Sequence, residues 1–96
     1  MKTDWEIAQA VIEAVERAYG IPDITVWSRR RRIAKARHLA CYIIREITDL
    51  STTDVADLIG REDHTTVLNA CRRVKGDPEA LKFVPRIKAD AEALLA

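Results

Sequence analysis

Between residues 63 and 73 the chain sets out side chains able to exchange hydrogen bonds with base edges. Asp63, His64, Thr65 and Thr66 open this stretch, and Asn69, Arg72 and Arg73 follow. On a helix, Thr65, Asn69, Arg72 and Arg73 stand at i, i+4, i+7 and i+8 and share one face. Val67, Cys71 and Val74 share the opposite face. Short polar groups lead and cations trail. A helix entering a major groove by its N-terminal end would bring the first to bases and the second to phosphates. Asn69 offers a donor and an acceptor together, the pair that adenine N6 and N7 answer. Thr65 offers a methyl to thymine, and Asp63 can accept from a cytosine amino group. The plainer alternative is a solvated helix face capped by Asp63.

A second cluster lies upstream. Arg29, Arg30, Arg31 and Arg32 are consecutive, Lys35, Arg37 and His38 follow, and residues 28–38 contain no acid. Neighbouring guanidiniums repel one another and add nothing to a core. They fit beside polyphosphate or inside a narrow minor groove. A solvated basic loop and a membrane-surface patch are the alternatives, but the run lacks the interleaved apolar stripe of the latter.

The remaining chemistry is thin. His38, Cys41, His64 and Cys71 are the only histidines and cysteines. They show no paired-ligand spacing of a zinc knuckle, so no metal site is expected and both cysteines read as small core residues. No nucleophile stands beside a base, and Glu13, Glu16, Asp54 and Asp57 fall at helix-surface spacing. No phosphate-cradling glycine loop is present. Neither an enzyme nor a cofactor or nucleotide binder is expected.

Helices must position these groups. Aromatics are 5% of the chain, and glycine and proline number three each, which disfavours a small β protein. The first helix runs from about Asp4 to Tyr19, with Thr3 or Asp4 as cap, Trp5, Ala8, Ile12, Val15 and Tyr19 as buried stripe, and Gly20 as stop. Ile24, Val26 and Trp27 form a short apolar patch. The second helix spans roughly Arg32 to Thr48, with Ile33, Ala36, Ala40, Ile43 and Ile47 inward. Ser51 and Asp54 form a near capping box for a third helix, whose Val55, Leu58 and Ile59 face inward before Gly60. A short turn leads to the fourth, about Asp63 to Lys75. Asp77-Pro78-Glu79 opens a last helix that Pro85 should kink or divide. The expectation is an all-α fold of five to six short helices, the third and fourth forming a helix-turn-helix.

At 96 residues the chain is one domain, and 48% hydrophobic content is enough for a modest core. Net charge is +1, so only the clustering of cations points to an anionic partner. No signal segment and no apolar stretch of membrane-spanning length is visible, and the two cysteines form no disulfide framework. A reducing, cytoplasmic setting is expected.

The stretch from Arg61 to Arg72, with its core Asp63-His64-Thr65-Thr66-Val67-Leu68 and then Ala70-Cys71-Arg72, closely resembles the signature of the C-terminal DNA-binding domain of DnaA-type replication initiators. Arg31 to Ala40 resembles that family's basic loop and the start of its long helix, and the similarity runs from about residue 4 to 95. The resemblance implies double-stranded DNA as partner, bound at a short A·T-rich box. Asp63, His64 and Thr65 match base-reading positions, and Thr66 one that contacts backbone or a thymine methyl. Arg29 matches an arginine that enters the minor groove. Arg31, Lys35, Arg37 and His38 match phosphate-side positions.

Three departures stand out. The family usually has two glycines and an arginine before the aspartate, whereas here the order is Gly60-Arg61-Glu62-Asp63. Asn69 stands where many members carry histidine. The family's ATPase domain is not in these residues, so ATP hydrolysis is not expected of them. The expected role is a DNA-binding module in replication control or transcription regulation, with Arg30, Arg31, Arg32, Lys35, Arg37, Arg72 and Arg73 on phosphates. Replication proteins are a further expected partner. The alternative is a helical adaptor that has lost DNA binding.

Overall fold

The computed structural model describes residues 1–26, 30–61 and 63–96. Among them lie six helices and no strand: α1 (Asp4–Tyr19), α2 (Arg31–Ile47), α3 (Thr52–Leu58), α4 (His64–Lys75), α5 (Pro78–Lys82) and α6 (Val84–Leu95). The all-helical expectation holds, and each boundary has a local cause.

Thr3 caps α1 through a reciprocal box, its hydroxyl accepting from the Glu6 amide while the Glu6 carboxylate accepts from the Thr3 amide. Gly20, at φ 65°, ends the helix in the left-handed conformation that costs an L side chain most. Ser51 and Asp54 make the same reciprocal box at α3. Pro85 has no amide to offer the Leu81 carbonyl, so the last helix divides at Phe83 into α5 and α6.

α1 packs against α6 and α2, α2 against α4, and α3 against α4. One apolar cluster fills the centre. Val11 and Val15 enter it from α1, Leu39, Ile43 and Ile44 from α2, Val55 from α3, Val67 and Val74 from α4, and Ile87 from α6. Cys41 is fully buried there, and burial pushes its thiol pKa up to about 12, so it stays an inert small hydrophobe. Polar ties close the seams. The Lys88 ammonium meets Glu46 between α6 and α2. Arg45 donates to the Leu50 carbonyl at 2.9 Å, fixing the link into α3.

Two stripe residues prove to be surface. Trp5 is 48% exposed, because the buried face of α1 is centred on Val11 and Val15, about 100° around the helix from it. Ile47, the last residue of α2, is 36% exposed, and Leu39 and Ile44 occupy the buried face instead. Of the short apolar patch, Ile24 is fully buried and Val26 exposed, while Trp27 lies outside the described residues.

Candidate nucleic-acid interface

α3 and α4 are joined by a turn that begins as a Schellman motif. Gly60, at φ 73°, donates to the Asp57 carbonyl, and the Arg61 amide donates to the Ala56 carbonyl at 2.8 Å. Asp63 then caps α4, its carboxylate accepting from the Thr65 amide at 2.9 Å. That bond, with a further one from the Thr65 hydroxyl and the field of His64, holds the Asp63 carboxyl below the usual carboxylate range. Asp63 is therefore an anion with one oxygen committed to the cap.

Val67, Ala70 and Val74 turn inward and Cys71 packs half-buried beside them, which leaves the other side of α4 open. His64, Thr65, Asn69, Arg72 and Arg73 are all exposed, and Thr66 is half-buried. Thr65 and Asn69 are separated by one turn, about 6 Å along the axis. The structure thus brings the α4 residues singled out by spacing onto one solvent-facing surface.

The described cations of the basic segment are exposed except Arg37. Arg30, the N-cap residue of α2, and Arg31 and Lys35 in its first turns are exposed. No acid stands in that first turn, so the helix carries positive charge where its own dipole is already positive. Such an arrangement disfavours the isolated helix and favours a bound anion. Arg32, read from sequence as a phosphate contact, is exposed too and donates to the Tyr19 carbonyl at the C-terminal end of α1. Arg37, read the same way, is only 7% exposed. Its guanidinium donates to the Ile24 carbonyl at 3.2 Å and the Val26 carbonyl at 3.5 Å. A helix-end carbonyl and two loop carbonyls thus take these donors, Arg37 buried and Arg32 at the surface. Arg29 and Glu62 lie outside the described residues.

His38 is half-buried in a groove it shares with Arg31 and Lys35 of α2, Arg73 of α4, and Asp77 and Glu79 beyond it. Tyr19 and Phe83 line the same groove, their ring centroids 5.9 Å apart. Burial first, then the charges of Arg73 and Arg37, push the His38 pKa below its ordinary 6.5. The sign follows: the folded state disfavours the imidazolium. Stability is full above the unfolded value and falls as pH drops from 6.5 through the depressed pKa. An NMR titration of the ring should place the His38 midpoint below 6.5, and Arg73→Ala should move it upward. A midpoint unmoved by Arg73→Ala would leave burial and Arg37 as the causes.

One contributor was not visible in sequence. Arg61 donates to the Thr25 carbonyl at 3.4 Å, across 36 residues of chain. Its only sequence signal is a long cation following the turn glycine.

A cationic first turn on one helix and a polar, open second helix of a helix-turn-helix define the class: an all-helical domain of helix-turn-helix type. Residues 8–74 match the family model described as the bacterial dnaA protein helix-turn-helix. The chain belongs to that family. It is 41% identical over 68 residues to a chromosomal replication initiator protein DnaA of Bacteroides thetaiotaomicron, 71% of this chain and 14% of that protein. It is 37% identical over 81 residues to the one from Thermodesulfovibrio yellowstonii, 84% and 18% respectively. For the one from Gloeobacter violaceus the figures are 36% over 91 residues, 88% and 21%. The chain thus spans about a fifth or less of the length of the relatives it matches. No helix among the described residues is long and apolar enough to cross a membrane.

Proposed function

We propose that this chain binds double-stranded DNA at short A·T-rich sites of the DnaA-box kind, without catalysis, and acts in the control of replication initiation or of transcription. The observation that carries the reading is the exposed face of α4, where Thr65, Asn69, Arg72 and Arg73 stand clear of the core within a helix-turn-helix of the DnaA family. In this reading α4 lies in the major groove. The second oxygen of Asp63, with His64 and Thr65, meets base edges near the helix start, and Thr66 packs against backbone or a thymine methyl. Arg72 and Arg73 meet phosphates where the helix leaves the groove. Arg30, Arg31 and Lys35 bind phosphates at the start of α2, His38 lies beside them, and Arg29 enters the adjacent minor groove.

The test is selection of bound sequences from a random duplex pool, run on the wild type, Asn69→His and Thr65→Ala. Asn69 lies one turn beyond Thr65, so Asn69→His should change preference at a single base pair, worth about 1–3 kcal/mol. Thr65→Ala should relax preference at a neighbouring one. Identical preferences for all three proteins would show that this face of α4 does not read DNA.

A further inference from the structure

The groove that holds His38 has a volume of about 370 Å³, and its cations and acids are not equally committed. Arg31 and Lys35 line it from α2, and Arg73 from α4. All three are exposed, and none forms an ion pair among the described residues. The acids have nearer partners. Asp77 caps α5, accepting from the Glu79 and Ala80 amides, and Glu79 pairs with Lys82. Tyr19 of α1, Val74, Ala80 and Phe83 supply the less polar lining.

Arg31, Lys35 and His38 stand at i, i+4 and i+7, along one face of α2. His38 is the half-buried member of the three. Arg37 on its own helix and Arg73 on α4 both disfavour its imidazolium, as burial does. The groove thus gathers positive charge around a group that can add one more. A phosphodiester keeps its single negative charge throughout the range in which imidazole titrates, so one placed here reverses the local sign. In the DNA-binding reading, Arg31 and Lys35 meet phosphates at the start of α2, and Arg73 at the end of α4. All three line this groove, so a strand that reaches both ends crosses its mouth.

We propose that the groove receives a phosphodiester of the bound duplex and that His38 takes up a proton as it enters, so that DNA affinity rises as pH falls. The inference rests on the DNA-binding reading and adds to it a charge that the free protein does not carry. The proton comes from solvent to the free ring nitrogen, and the imidazolium N–H donates to a phosphate oxygen. The sign follows from linkage. The phosphate raises the His38 pKa in the complex above its value in the free protein. The gain in affinity is complete below both values and is lost as pH rises through the higher one. Other side chains offer little competition. Carboxylates titrate lower, Asp63 lower still, and both thiols are pushed up. His64, exposed at the start of α4, is the other histidine and the rival source.

The experiment measures affinity by fluorescence anisotropy at about pH 7.0 and about pH 5.5, at constant salt, on either side of the ordinary histidine range. Wild type, His38→Gln and His64→Gln are each tested on the selected sequence and on a scrambled duplex. Wild type should bind roughly three- to tenfold tighter at the lower pH, the scale of one proton gained beside one opposite charge. The scrambled duplex should show the same ratio, because phosphates are common to every sequence. His38→Gln should lose the ratio and His64→Gln should keep it. NMR titration of the wild-type rings with saturating duplex should place the His38 midpoint above that of the free protein. That measurement needs no variant, so it decides the matter even where His38→Gln fails to fold. Equal wild-type affinity at both pH values overturns the inference. So does a ratio that survives His38→Gln and disappears in His64→Gln, a ratio confined to the selected sequence, or a His38 midpoint that duplex leaves in place or lowers. A wild type that binds neither duplex at either pH overturns the DNA-binding reading itself.

Discussion

Raising monovalent salt from roughly 50 to 200 mM is expected to weaken the binding of duplex DNA about 150- to 500-fold. The figure depends on which cations face outward. Sequence alone offers seven for phosphates: Arg30, Arg31, Arg32, Lys35, Arg37, Arg72 and Arg73. The structure turns Arg32 onto the Tyr19 carbonyl and Arg37 onto the loop at Ile24 and Val26. Arg32 is itself exposed but engaged by that carbonyl; Arg30, Arg31, Lys35, Arg72 and Arg73 are exposed as well. Four or five phosphate contacts, each releasing about 0.9 counterion, give a log–log slope of roughly −3.6 to −4.5. Fluorescence anisotropy of a labelled duplex across a salt series measures it directly. A slope steeper than about −6 would mean that Arg32 and Arg37 leave their carbonyls on binding. A flat response would remove DNA as the partner and favour a helical adaptor.

The engagement of those two arginines by backbone carbonyls marks the limit of what sequence carries. Periodicity and caps reveal α1, α3 and α4 almost to the residue, because their signals are local: Thr3 with Glu6, Ser51 with Asp54, Asp63 before His64. The open face of α4 is equally legible, since it is the complement of an apolar stripe three and four residues apart. The destinations of long side chains are not. Arg37 meets carbonyls eleven and thirteen residues away, and Arg61 one at thirty-six. Nothing in spacing distinguishes a guanidinium that neutralises phosphate from one that satisfies a loop carbonyl, because both need only a cationic donor of the same length. Trp5 fails for a related reason. Its position continues the apolar repeat, but the buried face of α1 is centred on Val11 and Val15, about 100° around the helix, and the repeat does not say where that face ends.

Ile43→Ala is expected to remove about 2–5 kcal/mol of folding stability. Ile43 is fully buried on α2, the helix that packs against both α1 and α4, and no solvent can enter to fill the space its side chain leaves. A domain of this size has about 5–15 kcal/mol in all, so the loss is a large share of the total. Thr65→Ala, at an exposed position, should cost no more than about 0.5 kcal/mol. Urea unfolding followed by circular dichroism separates the two, with the slope in urea unchanged for both. Adding the selected duplex sharpens the contrast. Duplex at 100 times its Kd stabilises the folded state by about 2.7 kcal/mol, so Ile43→Ala should recover much of its midpoint. Its folded fraction still presents Thr65, Asn69 and the outward arginines. Thr65→Ala should recover less at the same duplex concentration, because its defect lies in the contact itself. Recovery by Thr65→Ala as large as that of the wild type, with Ile43→Ala unresponsive, would mean that the core rather than the α4 face governs binding. The division of labour between α2 and α4 would then be wrong.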